Sequence, residues 1–187
     1  MSQEIRVMPA EEAEIRMSED GKTLIGYAAV YNRRSLDLGG FVEVIQCGAF
    51  DDLLNSNIDV IARYNHDQNI VLGRRSSGTL QLYSDSKGLL YKLLMPETRA
   101  DISELIRRGD VRGSSFAFSV KKEDQTWDRT QTPQVRSISR FSGLFDVGPV
   151  VTPAYPDTTV AMRSLQEAIE ADIKRSNEWL QLRVKIS

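Results

Sequence analysis

Short runs of β-branched and aromatic residues, separated by turn residues, recur through most of this chain and are typical of β-strands. Asp20-Gly21 is a hairpin-type turn signal before the first run, and Asp85-Ser86-Lys87-Gly88 separates the third run from the fourth. The third and fourth runs are therefore predicted to form an antiparallel pair. The four runs cover residues 24–31, 41–45, 80–82 and 89–95.

Two segments have helical rather than strand character, residues 48–54 and residues 98–108. In the second segment Ile102, Leu105 and Ile106 share one helical face, and Gly109 is placed to end the helix. Short helices between strands predict an α+β, β-rich fold.

A strand is predicted directly after the second helix, around Gly113-Ser114-Ser115-Phe116-Ala117-Phe118. Successive side chains of a strand point to opposite faces, so Phe116 and Phe118 share one face and Ser115 lies on the other. We expect the two phenylalanines to face the core and Ser115 to lie on the outward face.

Residues 121–134 are polar, with Trp127 as the one large apolar residue, and predict a long loop before a second β-like run over residues 135–151. Such a loop could shape a substrate cleft or could be a surface loop that Trp127 holds. Pro153 and Pro156 end the last strand. The sequence thus predicts one β-rich domain over residues 1–161 and an amphipathic helix over residues 162–187, with apolar residues at Leu165, Ile169, Ile173, Leu180 and Val184.

The composition limits the classes of site. The 187 residues are 41% hydrophobic, enough for one core, and 24 basic against 26 acidic residues give no reason to expect nucleic-acid or membrane binding. Cys47 is the single cysteine and His66 the single histidine, so we expect neither an internal disulfide nor a Cys/His zinc site, and no cofactor. With no signal peptide or membrane span in the sequence, we expect an intracellular, soluble protein.

His66 is the one side chain of this sequence that titrates near neutral pH without perturbation, and a nucleophilic serine needs such a base. Ser115 and Asp146 follow it in the chain. The order His, Ser, Asp differs from those of chymotrypsin, subtilisin and the α/β-hydrolases. Asp67 is the alternative orienting acid, although neighbours in an extended strand point to opposite faces. Arg112 is a candidate for charge stabilisation near the nucleophile.

Six segments, in order between Leu24 and Arg163, resemble the signature segments of the prohead (capsid maturation) serine proteases of tailed phages. They are Gly26-Tyr27-Ala28-Ala29-Val30-Tyr31-Asn32, Gly48-Ala49-Phe50, Asn65-His66-Asp67, Gly109-Asp110-Val111-Arg112-Gly113, Ser115-Phe116-Ala117-Phe118 and Pro153-Ala154-Tyr155-Pro156-Asp157-Thr158. The resemblance implies a catalytic His66 and Ser115, with Asp146 as the third residue. It also implies a small antiparallel β-barrel flanked by helices, as in the herpesvirus assemblins.

The same resemblance implies the biological role. The expected enzyme is a serine endopeptidase that cleaves scaffolding protein, or the scaffolding segment of the major capsid protein, and itself. Cleavage would take place in the host cytoplasm inside the assembling prohead, and the dimers of assemblins suggest a homo-oligomer.

Two departures from the family pattern leave an alternative open. Ala117 replaces a glycine, and Asp146-Val147-Gly148 stands where the family has Glu-Val-Ser. These changes would also fit a non-catalytic scaffold or binding module of the capsid interior that retains the barrel.

Overall fold

The computed structural model describes residues 3–151, 169–170 and 174–175. Residues 3–151 form three β-sheets with three short α-helices, α1 (Ala10–Ala13), α2 (Asp51–Asn55) and α3 (Ala100–Arg108). The strands are β1 (Glu4–Met8), β2 (Arg16–Met17), β3 (Thr23–Val30), β4 (Phe41–Ile45), β5 (Ile61–Arg63), β6 (Val71–Arg74), β7 (Leu80–Ser84), β8 (Gly88–Leu94), β9 (Gly113–Ser119), β10 (Gln125–Asp128), β11 (Gln134–Ile138) and β12 (Gly143–Val150).

The largest sheet has five strands in the order β1-β9-β12-β5-β6, so β9 and β12 lie inside it. The second sheet has the order β10-β11-β4 and the third the order β2-β3-β8-β7. Neighbouring strands are antiparallel except in two pairs, β5 with β12 and β4 with β11, which are parallel.

The β-rich α+β class is confirmed, but the predicted small antiparallel β-barrel is wrong for the described residues, because no sheet closes and each of the three sheets keeps two edge strands. One cause is the run predicted over residues 135–151. It is interrupted after Ile138, and its halves become β11 and β12 in different sheets, each with one parallel neighbour. Alternation predicts that a strand forms, whereas its partners depend on long-range contacts.

Most of the individual elements follow the prediction. The runs at residues 80–82 and 89–95 become β7 and β8, an antiparallel pair. The helix predicted over residues 98–108 is a 3₁₀ turn at Glu97–Arg99 followed by α3, which buries Ile102 and Ile106. Gly109 ends it with φ 80°, a left-handed conformation that suits glycine.

The predicted loop over residues 121–134 contains more structure than expected. It includes a 3₁₀ turn at Lys122–Asp124 and strand β10, which pairs with β11. Trp127 holds this region to the body, because its ring centroid lies 5.0 Å from that of the buried Phe41. A strand and a turn therefore make up part of the predicted loop.

A cluster of four phenylalanines anchors β9 in the core. Phe116 stacks on Phe118 with ring centroids 4.9 Å apart, and Phe50 stacks on Phe141 at 4.2 Å. All four side chains are buried, as are most residues of the surrounding core. This packing fixes the strand that carries Ser115.

The amphipathic helix predicted over residues 162–187 lies mostly outside the described residues, although residues 169–170 and 174–175 are helical. Within the described part of the chain, no helix is both long and apolar enough to cross a bilayer.

Candidate active site

Ser115 lies in the middle of β9, between β1 on one side and β12 on the other. Its direct neighbours across the sheet are Val7 and Gly148, and Asp146 pairs with Ala117 two residues further along β9. Residues paired across a sheet share a face, so Ser115, Asp146 and the Cα of Gly148 meet on one side. Phe116 and Phe118 occupy the other side, as the alternation predicted.

His66 reaches this face from the loop that joins β5 to β6. Both Asn65 and His66 have positive φ values, 52° and 58°, which are uncommon for residues other than glycine and turn the loop sharply. The loop is fastened to the end of β12 by Asn65. The Asn65 N–H donates to Pro149 O at 3.1 Å, and Asn65 Oδ1 accepts from the Val151 N–H at 3.0 Å.

The three residues predicted from the sequence come together around the imidazole ring. His66 Nδ1 lies 2.6 Å from Asp146 Oδ1, and His66 Nε2 lies 2.5 Å from Ser115 Oγ. A carboxylate only accepts, so Nδ1–H donates to Asp146 and, in the neutral ring, Nε2 is free to accept the Ser115 proton. This arrangement has the connectivity of a serine nucleophile, an imidazole base and an orienting acid.

Ser115 also has a second acceptor. Its Oγ lies 2.8 Å from the main-chain carbonyl oxygen of Arg6 in β1. A serine hydroxyl has a single proton, so at any moment Ser115 donates either to Arg6 O or to His66 Nε2. General-base chemistry requires the second of these bonds.

The expectation that Ser115 lies on an outward face is wrong. All seven residues of β9 are buried, and Ser115 has 0% relative exposure. Both long edges of β9 are paired, and the His66 loop covers the Ser115 face. The His66 side chain keeps 19% exposure, so the base reaches solvent although the serine does not.

The neighbouring Ser114 has no comparable base. Its hydroxyl donates to Tyr91 Oη at 3.3 Å, on the buried side of β9. Burial raises the pKa of Tyr91, so its hydroxyl stays protonated at neutral pH and cannot take the Ser114 proton.

The other two candidates named from the sequence lie elsewhere. Asp67 turns its carboxylate to its own loop, where Oδ1 accepts from the Asn69 N–H at 2.8 Å. Arg112 is exposed, beside the buried Gly113. In this geometry the imidazole is oriented by Asp146.

Three residues that complete the site were missed by sequence reasoning. Arg63 Nη1 donates to Asp146 Oδ2 at 2.9 Å, Asn65 holds the His66 loop, and Gly148 leaves room for the main chain of Arg63. Arg63 and Asn65 stand three and one residues before His66, so their proximity to a candidate base was the signal available. Gly148 was noted only as a departure from the family pattern.

Two comparisons with known proteins identify the family of the chain. Residues 10–171 match the family model of the caudovirus prohead serine proteases. The chain is 29% identical to the prohead protease of Enterobacteria phage HK97 over 187 residues, covering 96% of this chain and 77% of that protein. No solved structure matches the chain. On the strength of the family match, which spans most of its length, this chain belongs to the caudovirus prohead serine protease family.

Proposed function

We propose that this prohead protease uses Ser115 as its nucleophile, His66 as its general base and Asp146 as the acid that orients the imidazole. The observation that carries the proposal is the continuous chain of contacts from Asp146 Oδ1 through both ring nitrogens to Ser115 Oγ, at 2.6 and 2.5 Å. Distances in this range suit proton transfer between the groups.

The proposed reaction has two halves, acylation and deacylation. As the Ser115 oxygen attacks the scissile carbonyl carbon, its proton moves to His66 Nε2, and Asp146 stabilises the imidazolium that forms. The imidazolium then returns the proton to the leaving amine as the peptide bond breaks. Water repeats the sequence on the acyl-serine ester and releases the second product. Main-chain N–H groups would stabilise the oxyanion in both halves of the reaction.

Access to Ser115 requires a change from the arrangement described, because the residue is fully buried. The groups that cover it are the His66 loop and β1, an edge strand whose Arg6 carbonyl accepts from the Ser115 hydroxyl. A substrate that displaces this carbonyl leaves His66 as the acceptor of the serine proton, which is the competent arrangement.

The substrates we propose are scaffolding protein or the scaffolding segment of the major capsid protein, together with the protease itself. Cleavage would occur inside the assembling prohead in the host cytoplasm. The protease domain would extend over residues 1–161, with residues 162–187 as a helix that contributes to a homo-oligomer. The relation to the herpesvirus assemblins stays a prediction.

Cleavage can be tested by incubating the purified chain alone and with the scaffolding and major capsid proteins of the same phage. Mass spectrometry of the new termini should show cuts in both substrates and in the protease, and Ser115→Ala should abolish all of them. Substrate binding without any new terminus, in the wild-type chain as in the variant, would instead support the non-catalytic scaffold module.

A further inference from the structure

We infer that Gly148 and Arg63 are positioning residues of this site. Gly148 admits the main chain of Arg63 across the face of β12, and this crossing places both the Arg63 guanidinium and the His66 loop at Asp146. The inference rests on the proposed function for its catalytic consequence, but its geometry can be tested without any cleavage.

The crossing begins where β5 leaves its regular pairing. β5 runs parallel to β12 from Ile61 to Ala62, and its pairing with β6 shifts register between Ala62 and Arg63. At the next position of β12, a Cβ added to Gly148 would lie 1.9 Å from Arg63 O, 3.0 Å from its carbonyl carbon and 3.2 Å from its nitrogen. All three are main-chain atoms, so no rotation of a side chain could relieve the collision, and only glycine allows this approach.

This close approach lies beside both the serine and the histidine of the site. Gly148 is the direct cross-strand neighbour of Ser115, and Arg63 precedes His66 by three residues. A side chain at residue 148 would push the chain away from β12 directly before the His66 loop. The contacts of His66 with Asp146 and Ser115, both within 2.6 Å, would lengthen.

Arg63 contributes a second constraint. Its Nη1 binds Asp146 Oδ2 at 2.9 Å, while Asp146 Oδ1 faces His66, so the carboxylate is fixed through both oxygens. Asp146 is 1% exposed, and the guanidinium supplies its opposite charge. Among the described residues, buried Arg63 Nε has no acceptor, so the arginine satisfies Asp146 and leaves one of its own donors unbonded.

Few other charges act on the His66–Asp146 pair in the described part of the chain. Arg63 faces it from β5, whereas β1 presents the main-chain carbonyl of Arg6 and turns that guanidinium toward Glu43. On the His66 loop, Asp67 is engaged by Asn69. Removing the Arg63 charge therefore favours the protonated imidazole and moves the acid limb of the pH–rate profile to higher pH.

The arginine is tested with Arg63→Gln and Arg63→Lys, by measuring kcat, KM and the pH profile of cleavage. Arg63→Gln should lower kcat about 10- to 100-fold, with little change in KM and with the shifted acid limb. Arg63→Lys keeps the positive charge, so the acid limb of its pH–rate profile should stay at the wild-type pH. A role in stability alone would lower the folded fraction without moving the limb.

The glycine is tested with Gly148→Ala and with a matched control, Gly88→Ala. Gly88 lies in the third sheet, away from the site, and its added Cβ would lie 2.0 Å from the main-chain oxygen of Ala29 in the neighbouring strand β3. Both substitutions would cause a steric clash with main-chain atoms, but only Gly148→Ala would cause it at the site. Because His66 is the single histidine, its Nδ1–H, bonded to a carboxylate, should give one identifiable far-downfield proton resonance in NMR. Gly148→Ala should lose this resonance and lower kcat about 100-fold or more, and Gly88→Ala should retain both.

The inference is overturned if Gly148→Ala retains the resonance and kcat, if a folded Gly88→Ala loses them equally, or if Arg63→Gln leaves kcat and the pH profile unchanged. Should either glycine variant fail to fold by far-UV circular dichroism, the Arg63 variants decide. A wild-type chain with the downfield resonance but no cleavage would count against the proposed function and leave the positioning claim to the NMR comparison.

Discussion

Asp146 is the residue whose environment best explains the chemistry of the site. It lies inside the largest sheet at 1% exposure, and each of its carboxylate oxygens has a partner, His66 for Oδ1 and Arg63 for Oδ2. A carboxylate held in this way fixes both the tautomer and the orientation of the imidazole.

Asp146→Asn is predicted to retain the fold and to lower kcat about 10⁴-fold. An amide can present its N–H₂ to the ring and so select the tautomer in which Nε2 carries the proton and cannot act as a base. Asp67→Asn is the control, since that carboxylate binds its own loop, and it should leave kcat unchanged. Steady-state cleavage of a capsid-derived peptide measures both, and equal losses in the two variants would contradict the assignment of Asp146.

Some residues of the site can be predicted from the sequence and others cannot. His66, Ser115 and Asp146 could be named because their chemistry restricts the choice and because they lie in or beside segments that resemble a family. Gly148 and Arg63 owe their proposed roles to a contact between β5 and β12, and the one local signal was that Arg63 lies three residues before His66. The burial of Ser115 was missed because alternation gives the face of a strand but not what covers that face.

At the scale of elements, β1 shows that the charged residues of a strand do not always lie on its solvent-facing side. Its alternation is inverted, because Glu4, Arg6 and Met8 are buried while Ile5 and Val7 are partly exposed. The charges are paired within the protein: Arg6 and Arg136 each bind both Glu4 and Glu43, with ion-pair distances of 2.7 to 2.9 Å. Two positive and two negative charges balance, which makes their burial possible and ties β1 to β4 and β11.

Arg136→Met is predicted to lower the free energy of unfolding by about 3 to 5 kcal/mol, because it leaves two buried carboxylates sharing the charge of Arg6. Arg74→Met removes an arginine from an exposed pair with Asp59 and should cost about 1 kcal/mol or less. Urea unfolding at neutral pH compares the two variants. A loss at Arg136 no larger than that at Arg74 would show that the buried network adds no stability.

The same network predicts an acid limit to stability. Burial alone would raise the pKa of Glu4, but hydrogen bonds and charges from Arg136 and Arg6 outweigh burial and lower this pKa below the ordinary value of 4.5. A group with a lowered folded-state pKa contributes stability above its unfolded-state pKa and loses that contribution as pH falls through the folded-state value. The free energy of unfolding should therefore fall below about pH 4.5, and less steeply in Glu4→Gln. An identical slope in Glu4→Gln would contradict this assignment.

At the scale of the whole molecule, the sequence predicts the type of many elements better than their number or arrangement, since six strands are predicted and the described residues form twelve. The antiparallel pair β7–β8 follows from one short turn, so local signals were sufficient. The parallel pairs β4–β11 and β5–β12 join segments far apart in the chain, and the expectation of an antiparallel barrel failed at these pairings. Turn chemistry specifies neighbours along the chain, whereas distant partners are selected by packing.

The homo-oligomer is still a prediction, and it depends on residues 162–187. An amphipathic helix over residues 162–187 would be marginal alone in water, so its apolar face requires a surface to cover. We expect the full chain to sediment as an oligomer and a chain ending at Arg163 to sediment as a monomer. Equal, monomeric masses for both chains would remove the oligomer and leave the helix as a cover for its own domain.

The central claim, that Ser115 is a nucleophile activated by His66, is tested most directly by mapping the adduct of an active-site fluorophosphonate by tandem mass spectrometry. We predict a single adduct on Ser115 in the wild-type chain, still present in Ser114→Ala and absent in His66→Ala. An adduct on Ser114, or labelling of Ser115 that persists at full rate in His66→Ala, would contradict the account.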